Sequence, residues 1–231
     1  MANPIDAQNV GMFSAAAYTP IGQPIDTTAT PLPPGWSDIT LQFFGGGAAG
    51  AQFYSDSDPD NSNGNNEFRI YQNSSEKQIV IAFKGSDNVS NFISDVNLTD
   101  QGASAYLTVI KNRATVALET LQQIAAYDGY TYYTDGHSLG GGMAQSFALE
   151  NGLNGFGQNS LPIAQGTINA DYSNLGLNTL AQTQEAFNAA VTNYRQSDAF
   201  TEVNVSGDVC PPQKLNLTDS IGVERASHGL E

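Results

Sequence analysis

A single serine in the middle of the chain is flanked by the residue types that a nucleophile requires. Residues 136–142 read G-H-S-L-G-G-G, so Ser138 has one glycine two positions before it and another two positions after it. Small residues at those positions let the backbone turn sharply and leave the hydroxyl clear of the fold. Such a hydroxyl can attack an acyl carbon once a neighbouring base accepts its proton. The motif therefore predicts nucleophilic catalysis; a plain turn with a solvated serine is the alternative.

The residues on either side of this motif predict a strand and a helix. Residues 130–135 are β-branched and aromatic, which is typical of a strand, and residues 143–150 are mostly good helix formers. A strand that turns sharply into a helix holds the serine in a strained conformation at the N-terminus of that helix. Backbone N–H groups at this end can stabilise an oxyanion. The N–H of Leu139, directly after the serine, is the first predicted donor.

A second oxyanion donor should come from a loop that follows an earlier buried strand. Residues 79–83 are continuously apolar, which suits a central strand that is buried on both faces. Lys84, Gly85 and Ser86 follow this strand at once. Ser86 is therefore the predicted second donor, through its backbone N–H and also its hydroxyl.

The general base can be found by elimination. The chain contains two histidines, His137 and His228. His137 adjoins the serine in the turn, where neighbouring side chains diverge, so it is predicted to pack or to hydrogen-bond within the turn. His228 is then the candidate base, and without it the catalytic interpretation of the serine would lose its main support.

The acid that orients the histidine should lie between the serine and the base in the chain, at the end of a strand. Asp208 follows the alternating segment 200–205 and is the predicted acid. Asp171 follows the predicted strand 161–168 and is the alternative. A carboxylate here would fix the imidazole tautomer and stabilise the imidazolium. This chemistry needs no metal ion and no cofactor, and none is predicted.

Strands and helices alternate along the chain in the pattern of an α/β protein. The expected architecture is a mostly parallel central sheet with helices on both faces, and 231 residues fit a single domain, residues 1–231. The predicted helices cover residues 5–18, 88–98, 103–127, 143–150 and 179–194. The predicted strands cover residues 36–44, 52–54, 68–72, 78–83, 130–135, 161–168 and 200–205.

An acidic segment at residues 56–67 matches part of the spacing of a calcium-binding loop. Acids occupy positions 1, 3 and 5, and Glu67 occupies position 12. Pro59 and Asn61 depart from that pattern, and the flanking residues predict strands rather than helices. A polar hairpin loop is therefore the preferred interpretation, with calcium binding as the alternative.

The composition excludes several classes of function. The net charge is −15, from 23 acidic and 8 basic residues, so binding to nucleic acid through its phosphates is not expected. The sequence contains no run of about 18 apolar residues, so no transmembrane helix is expected. A single cysteine, Cys210, excludes an internal disulfide and offers no zinc cluster. No signal peptide is visible and the compartment stays open, with a secreted bacterial protein as the preferred expectation.

Several of these stretches together resemble the class 3 lipase family, the group of the filamentous-fungal lipases. Residues 79–86, I-V-I-A-F-K-G-S, resemble the strand of that family that ends in F-R-G-S/T, with Lys84 in place of the usual arginine. Residues 91–96, N-F-I-S-D-V, resemble its N-W-x-x-D-L, and residues 136–141 match its G-H-S-L-G-G. Residues 203–209 are similar to its segment around the catalytic aspartate. The resemblance covers about residues 79–228, with gaps.

The resemblance implies an α/β-hydrolase fold and a carboxylic ester hydrolase, a lipase or esterase that acts on acylglycerols. Lipid or small-molecule esters are the implied substrates, with transient contact at a lipid interface. Phospholipase A1 and feruloyl-type esterase are alternatives with the same chemistry, and a non-catalytic hydrolase-like binding module is the alternative without it. The implied site consists of the nucleophile Ser138, the acid Asp208, the base His228, the oxyanion-hole residues Ser86 and Leu139, and a lid at residues 87–96.

The chain departs from the family pattern near its C-terminal end. His228 follows Asp208 by only 20 positions, so part of the pocket for the alcohol portion of the ester is expected to be reduced. The family often has a further helix after the histidine, so a longer natural protein is one expectation. Four apolar residues could line an acyl groove, although ordinary core packing is the preferred interpretation: Phe43, Phe44, Phe92 and Ile93.

Overall fold

A computed structural model of the chain contains a central sheet of eight strands with helices packed against it. It describes residue 5 and residues 7–26, 28–44, 47–57, 65–85, 105–160, 200–203 and 219–221. The strands are β1 (Trp36–Asp38), β2 (Ser55–Ser57), β3 (Asn65–Asn73), β4 (Gln78–Phe83), β5 (Thr131–Gly136), β6 (Asn154–Gln158), β7 (Phe200–Val203) and β8 (Asp219–Ile221). The helices are α1 (Ala7–Ala17), α2 (Gly47–Tyr54), α3 (Ala105–Gln123) and α4 (Leu139–Asn151), with short 3-10 helices at Thr40–Gln42 and Ala125–Tyr127.

The strand order across the sheet is β1-β3-β4-β5-β6-β7-β8, and β2 also pairs with β3. Strands β1, β2 and β4 run antiparallel to β3, whereas β4 to β8 are parallel to one another. The predicted mostly parallel sheet is therefore confirmed. Because parallel strands end at the same edge of a sheet, the loops after β4, β5, β7 and β8 all leave from one edge, where ligands of such folds bind.

Strand β4 is buried along its whole length. Ile79, Ile81 and Phe83 belong to the core formed with α3 and α4, while Val80 and Ala82 belong to the core formed with α1. Since both faces are covered, the strand is continuously apolar instead of alternating. Burial of each Ile or Phe side chain stabilises the fold by about 1.5–3 kcal/mol, so β4 is a firm support for the loop that follows it.

Three of the four described helices, α1, α3 and α4, lie where the sequence predicts helices. The helix expected at residues 5–18 is α1, and the one expected at residues 103–127 is α3 with the short 3-10 helix after it. Helix α3 buries Ile110, Ala114, Leu118 and Leu121, which recur at helical spacing. No helix within the described ranges combines the length and the apolar character needed to cross a membrane.

Two of the strand predictions before β3 are corrected by the structure: one is too long and the other is a helix. The strand expected at residues 36–44 ends at Asp38, because the Oδ1 atom of Asp38 accepts hydrogen bonds from the backbone N–H of Thr40, at 2.9 Å, and from its hydroxyl. This turn leads into the 3-10 helix. Residues 52–54 belong to α2, where the ring of Phe53 stacks on Phe44 with centroids 3.9 Å apart. Phe53 and Phe44 both pack against the hydrophobic core, which is the interpretation that the sequence analysis preferred for Phe44.

The sequence did not predict β6 or β8. Strand β6 reads N-G-F-G-Q, and its two glycines lower the β-propensity that a local pattern can reveal. Hydrogen bonding to β5 and β7 stabilises the strand despite this low β-propensity. The predicted strand 161–168 and the predicted helices 88–98 and 179–194 lie outside the described residues.

The acidic segment after α2 forms the expected hairpin. Strands β2 and β3 pair antiparallel, with Ser55 opposite Glu67 and Ser57 opposite Asn65. The side chain of Glu67 is buried, and its Oε1 atom accepts a hydrogen bond from the Ser55 hydroxyl at 3.1 Å. The last acid of the calcium-like spacing thus faces the protein interior, which supports the hairpin interpretation. Within the described residues no cluster of His, Cys, Asp and Glu could hold a metal ion.

Candidate active site

The turn between β5 and α4 holds Ser138 in a strained conformation. Its φ is 57° and its ψ is −120°, outside the regions that residues with a Cβ atom normally occupy. Its backbone N–H donates to the carbonyl of Gln158 at 3.0 Å, and its own carbonyl accepts from the N–H of Gly142 at 3.2 Å. These two hydrogen bonds fix the residue between β6 and the first turn of α4. The predicted strand, sharp turn and helix are confirmed.

The glycines around Ser138 are required by close backbone contacts. A Cβ atom at Gly136 would lie 2.2 Å from the carbonyl oxygen of Gly140. A Cβ atom at Gly140 would lie 2.2 Å from the carbonyl oxygen of Phe83, at the end of β4. Both obstacles are backbone atoms within the central sheet or the turn, so they cannot move aside as a flexible side chain could. The spacing of the motif is therefore a steric requirement of the turn.

Substitution of Gly140 by alanine is expected to lower the free energy of unfolding by at least about 3 kcal/mol, because the new methyl group overlaps the backbone of β4. Urea unfolding monitored by circular dichroism measures this change. The matched control is Gly11→Ala in α1, where, among the described residues, a Cβ atom would meet only the Gln158 side chain, at 3.6 Å. That control should be stabilising by about 0.5–1 kcal/mol, since alanine favours a helix interior. Equal stability of the two variants would contradict the steric argument.

The N-terminus of α4 provides the first predicted oxyanion donor. Leu139 is the first residue of α4, so its N–H has no carbonyl within the helix to pair with. The partial positive charge at this end of a helix favours an oxyanion beside it. Ser138 and Leu139 are both largely buried, with 2% and 8% of their surface exposed.

The segment after β4 passes directly alongside the nucleophile. A Cβ atom at Gly85 would lie 3.3 Å from the Cβ atom of Ser138. The buried residue Lys84 precedes Gly85, and its backbone N–H donates to the carbonyl of Glu67 at 2.9 Å. Ser86 comes next in the chain and lies outside the described residues. Gly85, the last described residue of this segment, thus lies next to the serine, as the sequence predicts for the loop after β4.

His137 has the role within the turn that the sequence predicts. It is 4% exposed, and its Nδ1 atom shares a hydrogen bond with the hydroxyl of Tyr18 at 2.7 Å. Its backbone forms a bridge to Gln158 of β6. A histidine held in this way supports the turn.

The N-terminal helix contributes residues that the sequence analysis missed. Ser14 of α1 donates a hydrogen bond to the Oδ2 atom of Asp135 at 2.9 Å, and both side chains are fully buried beneath the turn. Tyr18, next to the last turn of α1, reaches His137. No motif marks either residue. The one available signal is that both lie in the predicted helix 5–18, on positions four apart that share a helix face.

The remaining predicted site residues lie outside the described residues: Asp208, His228, Ser86, the alternative acid Asp171, and the lid segment 87–96. The structure therefore brings together Ser138, Leu139 and the end of β4. It also describes β7 and β8, the strands that precede Asp208 and His228 in the chain.

Comparisons with known proteins agree with this geometry. Residues 10–212 match the family described as phospholipase-like, Tle-like phospholipase domain. An extracellular phospholipase A1 of Serratia liquefaciens is 30% identical over 229 aligned positions, which cover 90% of this chain and 68% of that protein.

Similar solved structures are fungal and yeast lipases. A lipase from Rhizopus microsporus var. chinensis has a TM-score of 0.54 at 15% identity, over 90% of this chain and 69% of that one. A lipase from Yarrowia lipolytica has a TM-score of 0.52 at 15% identity, over 90% of this chain and 74% of that one. The Rhizomucor miehei lipase, in its propeptide complex, has a TM-score of 0.52 at 18% identity, over 88% of this chain and 61% of that one. At these identities the likeness concerns the fold.

The predicted fold class and the predicted lipase or esterase class are both confirmed by these matches. The sheet, the strained serine turn and the helix behind it are those of an α/β-hydrolase with a class 3 lipase-like fold. The chain belongs to the Tle-like phospholipase domain family.

Proposed function

We propose that this chain hydrolyses an acyl ester of a glycerophospholipid, with Ser138, Asp208 and His228 as its catalytic triad. The observation that carries the proposal is the backbone conformation of Ser138, whose φ of 57° is held by the surrounding strands and helix. Strain of about 1–3 kcal/mol at a single residue persists where the fold over-determines it, and such residues cluster at functional sites. The strain also argues against a non-catalytic binding module, which would gain nothing from it.

In the proposed reaction, His228 accepts the proton of the Ser138 hydroxyl while the oxygen attacks the ester carbonyl. Asp208 keeps the imidazole in the required tautomer and stabilises the imidazolium. The N–H groups of Leu139 and Ser86 stabilise the tetrahedral oxyanion, and each is expected to contribute about 3 kcal/mol. His228 then protonates the leaving alcohol. Water hydrolyses the acyl-enzyme by the same route and releases the fatty acid and the free serine.

The register of the sheet supports this triad. Four residues form one row across adjacent strands: His137 is bridged to Gln158, Gln158 pairs with Val203, and Val203 pairs with Ile221. The chain therefore leaves β7 at Val203 and β8 at Ile221 level with the serine turn, at the same edge of the sheet. Asp208 and His228 follow the ends of β7 and β8, respectively, in the chain.

The chain lengths after these exits are sufficient to reach Ser138. Adjacent strands lie about 4.8 Å apart, so β7 is about 10 Å from β5 and β8 is about 14 Å from it. Asp208 follows Val203 by five residues, which span at most ~18 Å when extended. His228 follows Ile221 by seven residues, which span at most ~25 Å. The reach of both segments thus exceeds the lateral distance.

The sheet order also favours Asp208 over Asp171. Strand β6 pairs directly with β7, so no strand lies between them. The described β6 ends at Gln158, thirteen residues before Asp171. Asp171 therefore lacks the short connection to a described strand end that Asp208 has.

Two observations support a phospholipid substrate. The matching family is described as phospholipase-like, and the curated relative is a phospholipase A1. That relative is extracellular, which supports secretion of this chain as well and transient contact with a lipid surface outside the cell. A net charge of −15 favours neutral or zwitterionic surfaces over anionic ones.

Phosphatidylcholine with different acyl chains at positions 1 and 2 tests the proposal. We expect release of the fatty acid from position 1, measured by mass spectrometry, and no release by Ser138→Ala. Addition of anionic lipid to the vesicles should slow the reaction at low ionic strength, and added salt should remove that difference because it screens the repulsion.

Other outcomes of this experiment point to the alternative substrates. Hydrolysis of emulsified triacylglycerol, with no attack on phosphatidylcholine, would make the protein an acylglycerol lipase. Hydrolysis restricted to water-soluble esters, including feruloyl esters, would make it an esterase. Each of these results would overturn the phospholipid proposal and retain Ser138 as the nucleophile.

A further inference from the structure

The hydroxyl of Tyr18 lies where three parts of the candidate site meet. It shares a 2.7 Å hydrogen bond with the Nδ1 atom of His137. It also faces Gly85, where a Cβ atom would come within 2.2 Å of it. Gly85 is the residue directly before Ser86, the proposed second oxyanion donor. One hydroxyl from the N-terminal helix region thus touches both the nucleophile turn and the start of the oxyanion loop.

We propose that Tyr18 is a positioning residue, which sets the distance between the oxyanion loop and Ser138. This inference rests on the proposed function of Ser138 and Ser86. Tyr18 acts through two neighbours, the imidazole of His137 and the backbone of Gly85, and has no contact with the reacting atoms in this role.

The packing around Gly85 explains how the hydroxyl can act. A Cβ atom at Gly85 would lie 2.2 Å from the Tyr18 hydroxyl, 2.5 Å from the carbonyl oxygen of His137 and 3.3 Å from the Cβ atom of Ser138. The backbone of Gly85 is therefore confined between Tyr18 on one side and the serine turn on the other. Removal of the hydroxyl opens space on one side and lets Gly85 move away from the serine.

The segment directly after Tyr18 is held by a buried arginine. The guanidinium of Arg69, on β3, donates to the carbonyl of Thr19 at 2.8 and 3.0 Å, to that of Pro20 at 2.7 Å and to that of Gln23 at 3.2 Å. Arg69 is 2% exposed and also forms an ion pair with Asp38. Hydrogen bonds from a charged group stabilise by about 1.5–3 kcal/mol each. The residues immediately after Tyr18 are thereby fastened to the central sheet.

This arrangement matters for rate because oxyanion stabilisation depends steeply on distance. A misplacement of about 1 Å in a site can lower the rate about 100-fold. Loss of the Tyr18 hydroxyl should therefore act on the transition state, in which the negative charge develops, and much less on the binding of a small substrate.

The test compares Tyr18→Phe with Tyr71→Phe, the same chemical change on the face of the sheet that α1 covers. Tyr71 stacks on Phe13 of α1, with ring centroids 5.6 Å apart. Its buried hydroxyl has no hydrogen-bond partner among the described residues, and burial raises its pKa well above the ordinary value. Tyr71→Phe therefore reports on the loss of a buried hydroxyl that forms no hydrogen bond with the described residues of the serine turn.

For p-nitrophenyl butyrate, we expect Tyr18→Phe to lower kcat by about 10- to 100-fold while KM changes little. The affinity for a trifluoromethyl ketone, whose serine adduct places an oxyanion in the same position, should fall by the same factor as kcat/KM. Tyr71→Phe should leave both values unchanged. A purely structural role of Tyr18 would lower the melting temperature and leave the ketone affinity of the folded protein intact.

The outcomes separate the inference from the function on which it rests. If Ser138→Ala is inactive and Tyr18→Phe behaves like Tyr71→Phe, the positioning role is overturned and the proposed nucleophile stands. If the wild type hydrolyses no ester and binds no ketone, the proposed function is overturned, and the positioning role with it.

Discussion

Ser138→Ala is expected to lower kcat for ester hydrolysis by about 10⁶-fold, the loss that follows removal of the nucleophile from a serine hydrolase. Residues 136–142 of the turn contain no second hydroxyl or thiol that could replace it. The measurement is hydrolysis of p-nitrophenyl esters and of phosphatidylcholine by highly purified protein. Labelling by a fluorophosphonate should disappear in parallel.

Two further variants separate the chemistry from the strain at this position. Ser138→Gly should be as inactive as Ser138→Ala, yet more stable than it by about 1 kcal/mol, since glycine accepts a φ of 57° without the strain that a Cβ atom causes. Ser146→Ala in α4 is the control. It removes a buried hydroxyl that accepts a hydrogen bond from the charged Lys111 at 2.9 Å, so it should lose about 1.5–3 kcal/mol of stability and keep its kcat. Activity of Ser138→Ala above about one hundredth of the wild type would exclude the covalent mechanism.

The serine turn can be predicted from the sequence because its requirements are local. Gly136, Ser138 and Gly140 lie within five positions, and the contacts that exclude a side chain at the two glycines arise within the turn and at the neighbouring end of β4. The buried strand before Gly85 is equally readable, since burial on both faces forces a continuous apolar run. Local sterics and burial thus define the nucleophile and the start of the oxyanion loop.

The contribution of the N-terminal region cannot be predicted in this way. Tyr18 and His137 are 119 positions apart, and nothing in either residue's surroundings in the sequence indicates the other. Arg69 is likewise read as an ordinary charged residue of a strand, although its guanidinium binds three backbone carbonyls near residue 20. Backbone carbonyls carry no sequence signal, so only the folded structure reveals the contact.

Strand β6 and helix α2 cannot be predicted from the sequence for a related reason. Strand β6 contains two glycines, and its conformation depends on pairing with the neighbouring strands. Helix α2 contains aromatic residues, which are more typical of a strand. In both cases tertiary packing overrides the local preference. The single-domain organisation and the roles of Asp208, His228 and Ser86 stay predictions.

Asp208→Asn is expected to lower kcat by about 10⁴-fold, because an asparagine amide stabilises the wrong tautomer of the catalytic histidine and cannot support the imidazolium. Asp171→Asn is the matched control, since it makes the same change at the alternative acid. We expect it to keep its activity, because Asp171 lacks the five-residue connection to a strand end level with the serine. Both variants are compared with the wild type in kcat for p-nitrophenyl butyrate between pH 5 and 10.

The pH dependence identifies which carboxylate acts on the base. With the triad acid intact, the rate should rise with pH as His228 loses its proton. Removal of the negative charge beside the imidazolium lowers the pKa of His228, because the protonated form loses its stabilising partner. The residual activity of Asp208→Asn should therefore rise at lower pH than that of the wild type. A large loss of kcat and this shift in Asp171→Asn, with Asp208→Asn unaffected, would transfer the role of triad acid to Asp171.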